Sequence, residues 1–288
     1  MNKPVLSVCI IGHGRVGKFF EGLLKPMKGV RVLVKHKHEP IYPMADVFMI
    51  CVQDHSVSKV VEELVLHEQD QVFSAVHCSG ILPLNVLAPL AVISADRSRA
   101  KGNGDGGKYK NRLSKIAVLH PIAPISSHTV SAKNILFDAI GDSELLLIFE
   151  HWCMEWGARF LKVNAHQKKV LHIAAVMSCN YLTTLYGMVG NFLDMEQFSK
   201  LEVRQILAAS MGRTLEQLND LSVEQAMTGP IIRGDIDTIR EHLAILNHDQ
   251  QRLTLYKNLG NSTIDVISEF EHKPSEDRIE VMRELFNS

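Results

Sequence analysis

No apolar run in the sequence approaches the roughly 18 residues that a membrane span requires, so no transmembrane segment is expected. Excess charge of either sign is also missing. Lys and Arg number 31 against 32 Asp and Glu, for a formal net charge of −1, which excludes the basic surface of a nucleic-acid partner. The five cysteines (Cys9, Cys51, Cys78, Cys153, Cys179) are odd in number and scattered, with no C-x-x-C pair. That excludes a disulfide framework and a structural zinc site, and implies a reducing compartment. Neither a charged n-region nor a cleavage site follows Met1, so no signal peptide is read and a cytoplasmic protein is expected. Although 14 histidines are present, none pair at i,i+4 and no H-E-x-x-H occurs, so no metal is expected.

What remains is material for a buried core: 46% of residues are hydrophobic and 22% charged over 288 positions, sufficient for one large or two ordinary domains. Short apolar runs read as strands at Val5–Ile11, Val30–Val34, Val47–Val52, Val72–His77, Val92–Ser94, Ile116–Leu119, Ile135–Ala139 and Ala158–Val163. Amphipathic stretches between them read as helices at Val16–Leu24, Ser56–His67, Leu84–Leu90 and Glu144–Trp156. Strands this apolar are buried on both faces, and their alternation with helices predicts an α/β domain with a doubly wound parallel sheet. Between Asp96 and Ser114 the chain is rich in Lys, Arg, Gly and Asn with almost nothing to bury, and reads as an insertion-like loop.

From Ala165 the texture is helical. Helices are expected over His166–Leu193, Met195–Ser210, Ser222–Thr228, Asp235–Leu246 and Gln250–Glu269. Asp194, Asp235, Asp249 and Ser275 stand where N-caps belong. With no strand signal after Val163, the expected domains are residues 1–164 and an all-helical 165–288.

The junction of the first strand and first helix, VCIIGHGRVGKFFEGLL, carries Gly12-x-Gly14-x-x-Gly17. Gly12 permits the tight turn, Gly14 lets the backbone approach a pyrophosphate, and Gly17 lets the helix pack closely on the sheet. The helix N-terminus then faces the phosphates. This is the pattern of a Rossmann dinucleotide site, expected to be lined by Gly12, His13, Gly14, Arg15, Val16 and Gly17. An NAD site usually places Asp or Glu at the end of the second strand, on the ribose 2′-hydroxyl. Here that strand runs into Lys35-His36-Lys37-His38, with no carboxylate until Glu39. A cationic cluster attracts a 2′-phosphate, so NADP is the expected cofactor, held there by Lys35, His36 and Lys37; an exposed basic turn is the plainer alternative. Ligands in such sheets lie beyond the carboxyl ends of the strands. Val52 and Gln53 at the third tip, and Ser79 and Gly80 at the fourth, are therefore expected to face cofactor or substrate, or else to form simple turns.

His120, in VLHPIAPISS, closes a strand where an imidazole can donate a proton to a carbonyl near a nicotinamide. At 100° per residue, Lys168, His172 and Asn180 fall within an arc of about 120° on the first helix of the second domain. That face could polarise a carbonyl oxygen, donate its proton and anchor a carboxylate. Alternatively, Lys168 starts the helix in solvent while His172 and Asn180 are satisfied inside the bundle. In MTGPIIRGD, Thr228 and Arg233 are polar groups in an apolar neighbourhood. Arg233 either clamps a substrate carboxylate or pairs with Asp235 or Asp237.

The segments GHGRVGKFF, ADVFMICVQDHSV, HCSGILPLNVLAPL, HPIAPIS, KKVLHIAAVMSCNYLTTL and MTGPIIRGD resemble Rossmann-like proteins with the C-terminal domain DUF2520. These stand close to pyrroline-5-carboxylate reductase and 6-phosphogluconate dehydrogenase. The resemblance implies an NADP-linked oxidoreductase with a helical dimerisation domain, and hence a homodimer acting on a small molecule. Some relatives resemble an alternative ketopantoate reductase, which reduces a 2-oxo acid in pantothenate biosynthesis; Lys168 or Arg233 would then meet the carboxylate. HPIAPIS is also similar to a prephenate dehydrogenase segment, but lacks its following Gly and acidic residue. The chain departs from the family in its long basic loop after Asp96 and in Leu171, where Tyr is common. A non-catalytic NADP-binding, redox-sensing dimer is the reading from a different class.

Overall fold

In the computed structural model, which describes residues 5–36, 39, 42–66, 73–91 and 114–288, the first apolar run forms β1 (Leu6–Ile11). Its alternate residues serve two cores, because successive side chains of a strand point to opposite faces. Val8 and Ile10 join Phe19, Phe20 and Leu24 of α1 (Arg15–Leu24) and Leu145, Phe149 and Trp152 of α3 (Ser143–Glu155). Cys9 and Ile11 join Val57, Val61 and Leu64 of α2 (Asp54–Leu66) and Leu87 of a 3₁₀ turn at Leu84–Leu87. A strand that is apolar from Val8 to Ile11 thus acquires a helical layer on each side, which is the doubly wound arrangement expected.

The other strands are β2 (Val30–Lys35), β3 (Val47–Ile50), β4 (Ser74–His77), β5 (Ile116–Ile122), β6 (Leu136–Gly141) and β7 (Arg159–Lys162). Their order in the sheet is β2-β1-β3-β4-β5-β6-β7. The pairs are parallel except β5 with β6, which run antiparallel and place His120 opposite Asp138. The sheet is thus mostly parallel, with one antiparallel pair. Residues 123–135 contain no helix, so the chain turns back without the crossover that parallel pairing needs. β5 also runs past His120 to Ile122, so His120 lies within the strand rather than at its end. The strand expected at Val92–Ser94, Lys37, and all of the Asp96–Ser114 stretch but Ser114 lie outside the described residues.

The chain divides into two compact units, Met1–Leu182 and Thr183–Ser288. The first extends past residue 164 because α4 (Ala165–Ala175) is tied to the sheet through Lys168. Asn164 caps α4 in a capping box with Gln167. A π segment, Val176–Tyr181, follows, so the helix expected to run unbroken from His166 to Leu193 changes its hydrogen bonding partway.

In the second unit, α5 (Leu182–Met195) is followed by α6 (Lys200–Asp220) and the short α7 (Val223–Ala226) and α8 (Pro230–Arg233). The longer α9 (Ile236–Leu246), α10 (Gln250–Ile267) and α11 (Glu276–Asn287) complete it. Ile239, Ile264, Ile279, Met282 and Phe286 form its core. Asp235 and Asp249 cap α9 and α10 as expected, whereas Asp194 lies inside α5 and Ser199, boxed with Glu202, caps α6. Ser275 stands at the N-cap of α11, a helix that the periodicity reading passed over. Among the described residues, no helix is long and apolar enough to cross a membrane.

Candidate active site

The sheet order reverses between β1 and β3, and in open α/β sheets ligands bind beyond the strand ends at such a switch point. Gly12, at the end of β1, adopts φ +94°, and a Cβ there would lie 2.9 Å from the carbonyl oxygen of Cys51 and 2.8 Å from Cγ1 of Val52. A Cβ on Gly17 would lie 2.0 Å from the carbonyl oxygen of Gly12, so α1 rests directly on the turn. A Cβ on Gly14 would meet nothing within 4 Å. Gly14 is the N-cap of α1, offers no side chain to the helix end, and is followed by a first turn without acidic residues. The first amides of α1 therefore border open space with no competing anion, a cradle that fits a pyrophosphate. Arg15 is exposed at the first helical position and Val16 packs partly into the core.

The basic end of β2 is arranged differently from its sequence reading. Lys35 is buried, and its ammonium donates to the carbonyl oxygens of His36 and Glu39 and lies 4.9 Å from the centre of the Tyr42 ring. It closes the turn after β2 and is not presented to a phosphate. The correction has a simple cause: the long stem is buried with the strand, and the ammonium must then find carbonyl acceptors nearby. His36 stays exposed, its ring centre 5.2 Å from that of His13 in an edge-on arrangement. His13 in turn lies 2.6 Å through Nε2 from Glu21, whose carboxyl is held below its usual range by Lys25 and by His13.

The second group of polar residues lies at the far ends of β4 and β5. Lys168 of α4, buried to 3% exposure, donates to the carbonyl oxygens of Ser79 (2.7 Å) and Gly80 (2.9 Å), and its Nζ stands 3.6 Å from Oδ2 of Asp138. The other oxygen of Asp138 lies 2.7 Å from Nδ1 of His120. Burial pushes the Lys168 pKa down while Asp138 opposes that shift. Nε2 of His120 and Nδ1 of His172 both border Gly80, where a Cβ would lie 2.8 and 2.3 Å from them. Only a glycine lets the two imidazoles close on this turn. Nδ1 of His172 is buried without a hydrogen-bond partner among the described residues; burial, then His120 and Lys168, hold that imidazole below its ordinary pKa.

The strand tips beneath are also specific. His77, fully buried, accepts from the Ser79 amide at Nδ1 (3.3 Å), and its Nε2 lies 3.3 Å from the carbonyl oxygen of Pro83. Burial above all, with Lys168 second, lowers its pKa to about 4, so it is neutral at pH 7. Ser79 binds its own turn, accepting from the amides of Ile81 and Leu82 through Oγ. Cys51 and Cys78, at neighbouring tips, place their sulfurs 3.6 Å apart. The Cys78 contact and burial push the Cys51 thiol well above its usual pKa. Gln53 is exposed at the start of α2.

Lys168, His172 and His120 thus come together with Ser79 and Gly80. Asn180 is exposed within the π segment, where hydrogen bonds run from i to i+5 and the 100° spacing assumed for its face no longer holds. Asp138 was missed. An Asp amid the apolar run ILFDAIG was the available signal, since a carboxylate at a position buried on both faces needs a partner. In the second unit, Thr228 and Arg233 are exposed. Arg233 lies 3.7 Å from Oδ2 of Asp235, the cap of α9, which is the ion-pair alternative read from the sequence. Among the described residues, no group of three or more His, Cys, Asp or Glu could hold a metal ion.

Residues 135–263 match the family model described as a domain of unknown function, DUF2520. The matched segment includes Asp138, Lys168 and His172 but begins after the glycine turn and His120. No curated protein matches the sequence. Among solved structures, a candidate NADP oxidoreductase of Bacteroides fragilis is similar over 90% of this chain and 97% of its own, with TM-score 0.70 and 20% identity. Pyrroline carboxylate reductase of Plasmodium falciparum, solved with NADP bound, is similar over 98% of both chains (TM-score 0.57, 8% identity). A reductive aminase of Aspergillus terreus, solved with NADPH and ethyl-5-oxohexanoate, is similar over 98% of this chain and 93% of its own (TM-score 0.56, 11% identity). At these identities the likeness establishes a shared fold: a Rossmann domain followed by a helical region.

Proposed function

We propose that this chain is an NADP-dependent oxidoreductase that reduces a small carbonyl compound, a 2-oxo acid, with ketopantoate as the first candidate. The observation that carries the reading is the His120–Asp138 pair, with one imidazole nitrogen held by a buried carboxylate and the other turned to the Ser79–Gly80 turn. This arrangement delivers a proton to a developing alkoxide. It stands in the same sheet as a glycine turn that fits a pyrophosphate, and the solved relatives of Plasmodium falciparum and Aspergillus terreus hold NADP or NADPH. When bound, the reduced nicotinamide supplies hydride to the carbonyl carbon.

Lys168 in this reading is not the anchor of the substrate carboxylate, because its ammonium serves Ser79, Gly80 and Asp138. His36 and Arg15, both exposed near the Gly14 cradle, replace Lys35 on the 2′-phosphate. Exposed apolar side chains along α6, among them Leu201, Leu215 and Leu218, support a homodimer formed through the second unit. The five unbridged cysteines support a reducing, cytoplasmic setting.

NADPH consumption with a panel of 2-oxo acids, ketopantoate first, tests the reading. Tight NADPH binding with no turnover on any member would replace it with the redox-sensing alternative.

A further inference from the structure

Which group at this site carries the proton is decided by what each imidazole nitrogen faces. From β6, Asp138 accepts from Nδ1 of His120, 2.7 Å away, across an antiparallel register that places the two residues opposite each other. From α4, Lys168 lies against the other oxygen of Asp138, and His172 stacks edge-on with ring centres 5.9 Å from His120. From the tip of β4, His77 and Cys78 face the same cluster, and Asp54 at the start of α2 acts on it electrostatically. The carboxylate is 1% exposed and the ammonium 3%, so their charges offset each other and the carboxylate is free to orient a histidine. His172 has no such support: its buried Nδ1 has no hydrogen-bond partner among the described residues.

We propose that Asp138 is the positioning residue of this site: it holds His120 with hydrogen on Nδ1 and thereby makes Nε2 of His120, rather than His172, the nitrogen that delivers the proton. The proposal rests on the reductase reading above for the reaction it serves, though not for the tautomer it assigns. When a carbonyl carbon takes hydride from a reduced nicotinamide, the C=O π pair moves onto oxygen. That oxygen forms its O–H bond with the proton on Nε2, the N–H bond breaks, and the imidazole is left neutral to be re-protonated from water. The Asp138 carboxylate stabilises the imidazolium before transfer and remains ionised throughout, as in other His–carboxylate pairs. His172, whose Nδ1 is buried against Gly80, packs beside His120.

The experiment is ¹⁵N NMR of the imidazole nitrogens in the full chain, without substrate, beside steady-state kinetics. The expected wild-type spectrum shows hydrogen on Nδ1 of His120 at a pH where the ring is neutral; hydrogen on Nε2 instead would overturn the proposal with no variant needed. In Asp138→Asn the amide can donate to Nδ1, so the tautomer is expected to invert. Turnover should fall by roughly 10²- to 10⁴-fold while the KM for NADPH stays within about two-fold; Asp138→Glu should recover part of the rate. His172→Gln should lower turnover less than Asp138→Asn does. An unchanged tautomer and rate in Asp138→Asn, or a larger loss in His172→Gln, would overturn the assignment. If the wild type reduces no carbonyl compound while the tautomer inverts as described, the reductase reading fails and the positioning of His120 by Asp138 stands.

Discussion

Nε2 of His120 and Nδ1 of His172 both pack against Gly80, so closely that a methyl group on that glycine would lie 2.8 and 2.3 Å from them. Gly80→Ala should therefore part the two imidazoles. Misplacing a catalytic group by about 1 Å costs on the order of 100-fold in rate, and a loss of that size is expected in kcat with NADPH affinity preserved. Kinetics beside a fluorescence titration of NADPH will check it; unchanged turnover would remove both histidines from the chemistry.

Lys168 makes a stability prediction as much as a kinetic one. Lys168→Met leaves the carbonyls of Ser79 and Gly80 unpaired and Asp138 without its buried counter-charge. Breaking a buried pair by removing one partner typically costs about 3–5 kcal/mol. Urea unfolding should show a loss of this order. A variant as stable as the wild type would place Lys168 in solvent.

The glycine turn separates fold from binding. Gly14→Ser fills space that the chain leaves open and supplies a favourable N-cap. Thermal stability should hold while NADPH affinity falls at least tenfold. Gly17→Ala sets a methyl against the backbone of Gly12, and an overpacking cost of roughly 1–3 kcal/mol is expected. Calorimetry and NADPH titration on the two variants should give opposite patterns.

At the end of β2, Lys35→Met should lower the melting temperature and leave the NADPH-to-NADH affinity ratio unchanged, because the ammonium serves the turn. His36→Glu should weaken NADPH more than NADH by placing a carboxylate where the 2′-phosphate is proposed to lie. Equal losses for both cofactors would remove His36 from that role.

His77 sets an acid limb on stability. Its folded pKa of about 4 lies below the unfolded value of about 6.5, so the unfolded chain binds the extra proton between those limits. Stability contributed by this residue is complete above pH 6.5 and is lost as pH falls from 6.5 towards 4, by about 3 kcal/mol in all. Urea midpoints measured from pH 7 to pH 4.5 should decline accordingly, and the decline should be shallower in His77→Gln.

Local chemistry determined a good deal of this protein by itself. Apolar strands alternating with amphipathic helices dictate a doubly wound sheet, since each strand face needs a helical cover. Gly12 and Gly17 announce a turn that only residues without a Cβ can make, and Gly14 stands at the head of α1 with open space before it. Tertiary structure decided what lies opposite what. Asp138 meets His120 only because β5 and β6 pair antiparallel in one register. Lys168 turns inward because two carbonyls and a carboxylate wait there, and Lys35 because its own turn satisfies it. The sequence reading placed both lysines by charge, whereas a buried ammonium goes where it finds enough oxygen atoms. Partners on separate strands and helices are fixed by how those elements pack, and that packing is not written at any one position in the chain.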